Sequence, residues 1–193
     1  MKYALKDVNN DKFILISDSH CPLYNMKDMC DKIYELYPKL SFSIQNIVDN
    51  EVSKRYKLIF NESINKNNIL INQKSADFVS QWFIANRDDI EFFVEKEPKL
   101  RYLFEENKIT LADEMYFALI ANHFNKSWIN KRHCYFDWWK KTDPELVKEG
   151  HREQPHTYCC VRNKFIKQLR EQDFLFFRKI YKDTFLDENF LLK

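Results

Sequence analysis

Glycine is almost missing from this chain: Gly150 is its one example in 193 residues. That absence excludes the glycine-rich phosphate loop and the G-x-G-x-x-G dinucleotide turn, both of which need several residues without a Cβ where backbone approaches phosphate. A phosphorylated ligand would have to be held by side chains and helix ends. Cysteine is also scarce, at Cys21, Cys30, Cys134, Cys159 and Cys160. No C-x-x-C occurs, and an odd count does not build a complete disulfide framework, so a reducing compartment is the simpler expectation. The adjacent pair Cys159-Cys160 has the wrong geometry for an unstrained bridge. No apolar run approaches the roughly 20 residues of a membrane span. The opening Met1 to Asp7 is polar and shows no secretory signal. Charge of one sign is lacking as well: 31 basic against 29 acidic residues leave a net +2, so nothing marks nucleic acid as a partner. His20, His123, His133, His151 and His156 show no metal-ligand spacing, and no zinc site is expected.

What is present is a folding composition. Hydrophobic residues make up 45% and charged residues 31%, enough to bury a core without disorder. The length suits one sizeable core, hence a single domain over residues 1–193. Lys12 to Ser17 is a short apolar run that reads as a buried strand, closed by the turn Ser17 to Leu23. A helix is expected from Asn25 to Leu36, with Met26, Met29, Ile33 and Leu36 on one face. Ser41 to Ile44 alternates like a strand. Asp49 to Lys74, polar and rich in Asn and Lys, reads as a long loop. Phe78 to Ile84 reads as a strand or strand entry, and Asn86 to Glu97 as a helix with Ile90, Phe93 and Val94 inward. Tyr135 to Trp139 is aromatic and strand-like, and Thr142 to Pro155 a charged loop. Arg162 to Glu171 is a helix with Phe165, Ile166 and Leu169 inward. Phe174 to Ile180 is a last apolar segment. Strands alternating with helices make α/β the expected class.

The most informative stretch is Thr110 to Leu119. Thr110 followed three residues later by Asp113 has the form of a capping box, and Met115, Ala118, Leu119 and Asn122 then recur at helical spacing from Leu111. Glu114 is thereby expected in a helix's first turn. The positive end of the helix dipole favours its ionised form there, while the neighbouring apolar face opposes it. A carboxylate under those two pulls suits a general base; the plainer alternative is an acid that helps start the helix.

Six segments, in order, carry a resemblance. They are Phe13 to Ser19 with Cys21-Pro22-Leu23; Ser80-Gln81-Trp82-Phe83 with Arg87; Asp113-Glu114-Met115-Tyr116-Phe117; Asp137-Trp138; Pro155-His156; and Phe176-Phe177-Arg178-Lys179-Ile180. Together they resemble the core-2/I-branching N-acetylglucosaminyltransferase family, which includes the protein xylosyltransferases. The departures are Val79 for a glycine, Ala112 for the proline before Asp-Glu, and the reversed order of Pro155-His156. The resemblance also implies a domain that is shortened at its N-terminus.

The resemblance implies a GT-A-like, Rossmann-like α/β sandwich. It implies inverting transfer of a GlcNAc- or xylose-type sugar from a UDP-sugar to a hydroxyl of a glycan or glycoprotein. Glu114 would be the catalytic base. Lys179 matches the family's diphosphate lysine, and Arg178 could share its work; His156 or Arg162 is the candidate for a second basic contact. Asp18 and Ser19 form no Asp-x-Asp, which agrees with a metal-free site and no cofactor beyond the donor substrate. Asp18, Ser19, Trp82, Asp113, Asp137, Trp138 and His156 are candidate donor or acceptor contacts. Trp82 could equally be core, Arg178-Lys179 a solvated basic end, and Asp137-Trp138 a sheet edge. Besides an active enzyme, a degenerate transferase-fold binder and a split domain completed by a partner chain or second copy stay open. Compartment also stays open, between a cytoplasmic or viral setting and the secretory lumen usual for the family.

Overall fold

The computed structural model describes residues 1–44, 79–106, 112–137, 147–148 and 155–186. The chain divides into two compact units, one of Met1–Leu15 with Lys39–Lys131, the other of Ile16–Pro38 with Arg132–Lys193. Helices and sheets occur in both, so the α/β expectation holds at the level of class.

The first unit is built on a four-stranded sheet of β1 (Lys12–Ile14), β3 (Ser41–Phe42), β4 (Ile84–Asn86) and β5 (Ile129–Asn130). Their order is β1-β4-β3-β5, antiparallel except for the parallel β3–β5 pair. β1 is half-buried rather than buried, and Leu15 and Ile16 beyond it are exposed, because β1 lies at one end of that strand order. Among the described residues, the segment expected as a strand or strand entry from Phe78 pairs at Val79, with Ile44, and becomes regular at Ile84; Phe78 and the expected loop 49–74 lie outside the described residues.

Helix α2 (Arg87–Glu106) follows β4 directly. Asp89, 3% exposed, caps its start by accepting the Asn86 N–H at 2.8 Å, and the Lys126 ammonium meets the same carboxylate at 2.8 Å. The sequence reading ends this helix at Glu97, yet the helix runs on through Pro98. Proline forfeits one hydrogen bond and crowds the preceding turn. Against that cost, Ile90, Phe93, Leu100 and Phe104 are all buried in one cluster, and that packing outweighs the local penalty. The core is strongly aromatic: Phe93 meets Phe117 at 5.2 Å and Phe83 at 6.3 Å between ring centroids, and Phe42 meets Trp128 at 5.3 Å.

Among the described residues the second unit holds two three-stranded sheets. One has the order β2-β9-β6, from β2 (Cys21–Pro22), β9 (Phe176–Phe177) and β6 (Cys134–Tyr135). The other has the order β10-β8-β7, from β10 (Ile180–Leu186), β8 (Thr157–Val161) and β7 (Val147–Lys148). β7 falls within the segment read as a charged loop; pairing with β8 orders it. Helix α1 (Met26–Leu36) starts on Asn25, whose side chain accepts the Asp28 N–H at 3.0 Å. It buries Met29 and Ile33, whereas Met26, expected on the same face, is 80% exposed because it sits at the first helical position, outside the packed turns. The last helix, Asn163–Arg170, buries Ile166 and Leu169 as its periodicity predicts, with Phe165 half-buried.

The scarcity of glycine shows at two helix ends. Asn125 and Asp173 take φ of 55° and 62°, the left-handed conformation in which a helix commonly ends on glycine. Beyond each, an N–H reaches back five residues, Lys126 to the Ala121 carbonyl at 2.8 Å and Phe174 to the Leu169 carbonyl at 3.2 Å. Asn and Asp are the residues that tolerate this geometry best after glycine.

Candidate active site

Thr110 and Leu111 lie outside the described residues, so the expected capping box has no structural counterpart to compare. From Ala112 to Glu114 the backbone is a 3₁₀ turn, and α3 (Tyr116–His123) begins only after Met115. Glu114 therefore sits in the turn before the helix rather than in its first turn, a correction to the periodicity reading. The reason is local: Met115, at φ −130° and ψ −34°, breaks the helical run and turns its side chain into the core at 1% exposure. α3 buries Ala118, Leu119, Ile120 and Ala121, a wider face than the predicted stripe. Asn122 instead accepts the Trp128 indole N–H at 2.7 Å.

Glu114 is half-buried and Asp113 exposed. The Glu114 carbonyl accepts the Val79 N–H at 2.9 Å, and Ser80 N–H donates to Ser43 at 2.8 Å. Two segments singled out in the sequence, the one opening at Ser80 and the Asp113-Glu114 turn, are thus stitched to each other and to the end of β3. Trp82 is 8% exposed, a core position. Arg87, the arginine of the Ser80 segment, holds up the fold: its guanidinium donates to the carbonyls of Leu5 at 2.7 Å, Asp7 at 2.9 Å and Asn10 at 3.0 Å, and to Glu91 at 2.9 Å.

In the second unit a mesh of backbone hydrogen bonds gathers most of the other candidates. Ile180 N–H donates to the Ser19 carbonyl at 3.2 Å, and Lys179 N–H to the His156 carbonyl at 3.2 Å. His156 N–H in turn donates to Asp137 at 2.9 Å, and Arg178 N–H to Tyr135 at 2.9 Å. Ser19, Asp137, His156, Arg178 and Lys179, separated by up to 160 residues of sequence, meet where β9 gives way to β10. Arg178 and Lys179 are half-buried, not a solvated end. His156 is 8% exposed, and neither ring nitrogen has a hydrogen-bond partner among the described residues. Asp137 accepts the Tyr135 hydroxyl at 3.4 Å. Asp18 is exposed in its turn, Arg162 is exposed at the start of the last helix, and Trp138 lies outside the described residues.

Sequence reasoning gave His20 and His133 no role, yet both are buried in this unit. The His20 Nδ1 accepts the Ser17 N–H at 3.1 Å and lies 2.9 Å from the Ser17 hydroxyl, which is 3.0 Å from the Ser19 hydroxyl. Burial, then the positive charge of Arg178, lowers the His20 pKa to about 4. Burial, then the neighbouring His20 and Arg132, lowers His133 to about 3. Both are neutral near pH 7 beside a guanidinium that keeps its charge. Burial pushes the Cys21 and Cys134 thiols up to about 12, so neither is a thiolate nucleophile. The signal that could have exposed His20 is its place three residues after Ser17 in the turn that the sequence had already singled out.

Among the described residues no group of three or more His, Cys, Asp or Glu side chains is arranged to hold a metal ion, and no helix is long and apolar enough to cross a membrane.

This is a mixed α/β chain with a half-buried acid in a turn before a helix and a half-buried basic pair between two strands, and its family is one of glycosyltransferases. The family model of the core-2/I-branching enzymes matches residues 1–170, and the chain belongs to that family. Curated proteins offer no match to it.

Proposed function

We propose that the protein transfers a sugar, of the GlcNAc or xylose type, from a UDP-sugar to a hydroxyl of a glycan or glycoprotein, with inversion and without a metal. The family match supports the reaction class. The observation that carries the assignment of roles is the mesh that draws Ser19, Asp137, His156, Arg178 and Lys179 to one end of a sheet. On this reading the fold is of the GT-A type. Glu114 takes the proton of the acceptor hydroxyl as its oxygen attacks the anomeric carbon from the face opposite UDP. The bond from that carbon to the diphosphate oxygen breaks, and its electron pair leaves with UDP. Arg178 and Lys179 stabilise the charge that develops on the diphosphate through charge-assisted hydrogen bonds. His156, a buried imidazole whose ring nitrogens have no partner among the described residues, adds a further hydrogen-bonding group.

UDP release from a panel of UDP-sugars, with and without chelator, tests this reading. Release that survives chelation and falls by about 10²–10⁴-fold in Glu114→Gln is the expected result. Release from every donor left unchanged by Glu114→Gln would remove Glu114 from the chemistry.

A second reading draws on one observation, the exposure of Leu15 and Ile16 at the end of β1. There the chain is a transferase-fold binder, or one part of a domain that another chain completes. It predicts self-association or binding of an apolar dye by the purified protein, and a monomer that binds no dye would count against it.

A further inference from the structure

Two clefts in the first unit share the lining residues Glu97, Arg101, Tyr116 and Phe117. Their volumes are about 490 and about 380 Å³, within the range of about 300–1,000 Å³ usual for small-molecule sites. The first extends to Tyr3, a residue 83% exposed. The second extends to Ala112 and Asp113, and the next residue of that same 3₁₀ turn is Glu114.

The chemistry of the shared lining is specific. Arg101 on α2 is ion-paired with Glu97 one turn earlier, yet its side chain remains 54% exposed. The Tyr116 hydroxyl donates to the Glu97 carbonyl at 3.4 Å, and its ring packs edge-on to Phe104 at 4.8 Å and to Phe117 at 5.4 Å. Aromatic surface thus lies beside a guanidinium donor and carboxylate acceptors. Charge decides which ligand fits. Across the two clefts Lys2 and Arg101 stand against Glu97, Glu105 and Asp113, so charge of both signs is present with no positive excess to draw a nucleotide diphosphate. A neutral ligand with both donors and acceptors can satisfy both signs, and the apolar face of a pyranose ring suits the aromatic surface.

We infer that these clefts form a subsite for a neutral oligosaccharide, with sugar rings against Tyr116 and Phe117 and hydroxyls on Arg101 and Asp113. The inference rests on the reading of the chain as a transferase acting on glycans: it assigns to the acceptor a second foothold adjoining the turn that carries Glu114.

The test titrates the whole chain with chitotriose and with N-acetyllactosamine by NMR, with UDP titrated in parallel. The variants are Arg101→Ala and Asp113→Asn, both at exposed side chains, so that one remains if the other fails to fold. The expected result is binding of at least one sugar, weakened about tenfold in each folded variant, with UDP affinity unchanged in Arg101→Ala. In turnover, KM for the acceptor rises by a similar factor in Arg101→Ala while kcat holds. Binding of neither sugar, equal binding by wild type and variants, or displacement of the sugars by trilysine at lower concentration would overturn the subsite. The two readings fail separately. Sugar binding sensitive to Arg101 with no UDP release from any donor keeps the subsite and sinks the transferase; turnover with an acceptor KM indifferent to Arg101→Ala does the reverse.

Discussion

In the first unit the buried cluster is almost wholly hydrocarbon, with Phe42, Phe83, Phe93 and Phe104 around α2 and α3. Among the described residues its one buried acid, Asp89, is capped by a backbone N–H and paired with Lys126. The second unit instead buries His20, His133, His156, Cys21 and Cys134 next to a half-buried arginine. The first is held mainly by packing, with part-buried His123 as a histidine whose pKa burial lowers. The second is a polar interior whose neutrality depends on pH. A half-buried basic pair, Arg178 and Lys179, lies in that polar unit, where fixed charge is screened less than at an open surface.

The sharpest way to break this contrast is to cut into the aromatic cluster. Phe93→Ala should cost about 3–5 kcal/mol by denaturant melting, because a ring 1% exposed leaves a cavity among Phe42, Phe83, Phe92 and Phe117. A loss below 1 kcal/mol would mean that the cluster is loosely packed. Next comes Arg87→Ala, expected to cost about 2–3 kcal/mol, since three carbonyls of the Leu5–Asn10 segment lose a charged donor. Arg87→Lys should recover only part of that, for an ammonium lacks the planar fork.

Acid should separate the units. A histidine buried neutral binds fewer protons folded than unfolded, so stability is greatest above the unfolded pKa of about 6.5 and falls as pH drops toward 4 and 3. Between pH 6.5 and pH 5 the expected loss is on the order of 1–2 kcal/mol per histidine. His133→Phe should flatten that slope, and thermal melts of both proteins across this range would read it; parallel slopes would place the acid sensitivity elsewhere. The smallest effect is Asn125→Gly. Relief of the left-handed φ should stabilise the C-terminal end of α3 by up to about 1 kcal/mol, as a rise in melting temperature.

Much of this was legible in the sequence, for reasons that differ by element. The helix starting after Asn25 and the last helix, with Ile166 and Leu169 inward, follow from a cap and a 3.6-residue period, both local signals. β8 went unread, although Thr157-Tyr158-Cys159-Cys160-Val161 is rich in β-forming types; only pairing with β7 and β10 marks it as a strand. The length of α2 was underestimated because Pro98 stops a helix locally, whereas the buried stripe that carries the helix across it is a tertiary effect. In the candidate site, Asp113-Glu114 and Arg178-Lys179 were legible as motifs. The buried pair His20 and His133 was not, since burial depends on what packs over a residue.

The sequence by itself determined the class, the family through the order of its motifs, the amphipathic faces of the helices, and the use of Asn125 and Asp173 where glycine is wanting. Tertiary structure decided the rest. It set β9 between β2 and β6 and joined Ser19 to Ile180 and Asp137 through His156 to Lys179. It also gave Arg87 to the N-terminal segment. The physical reason is that periodicity and capping act over a few residues, whereas strand pairing and burial join residues far apart in the chain, and their geometry exists only once the chain has folded.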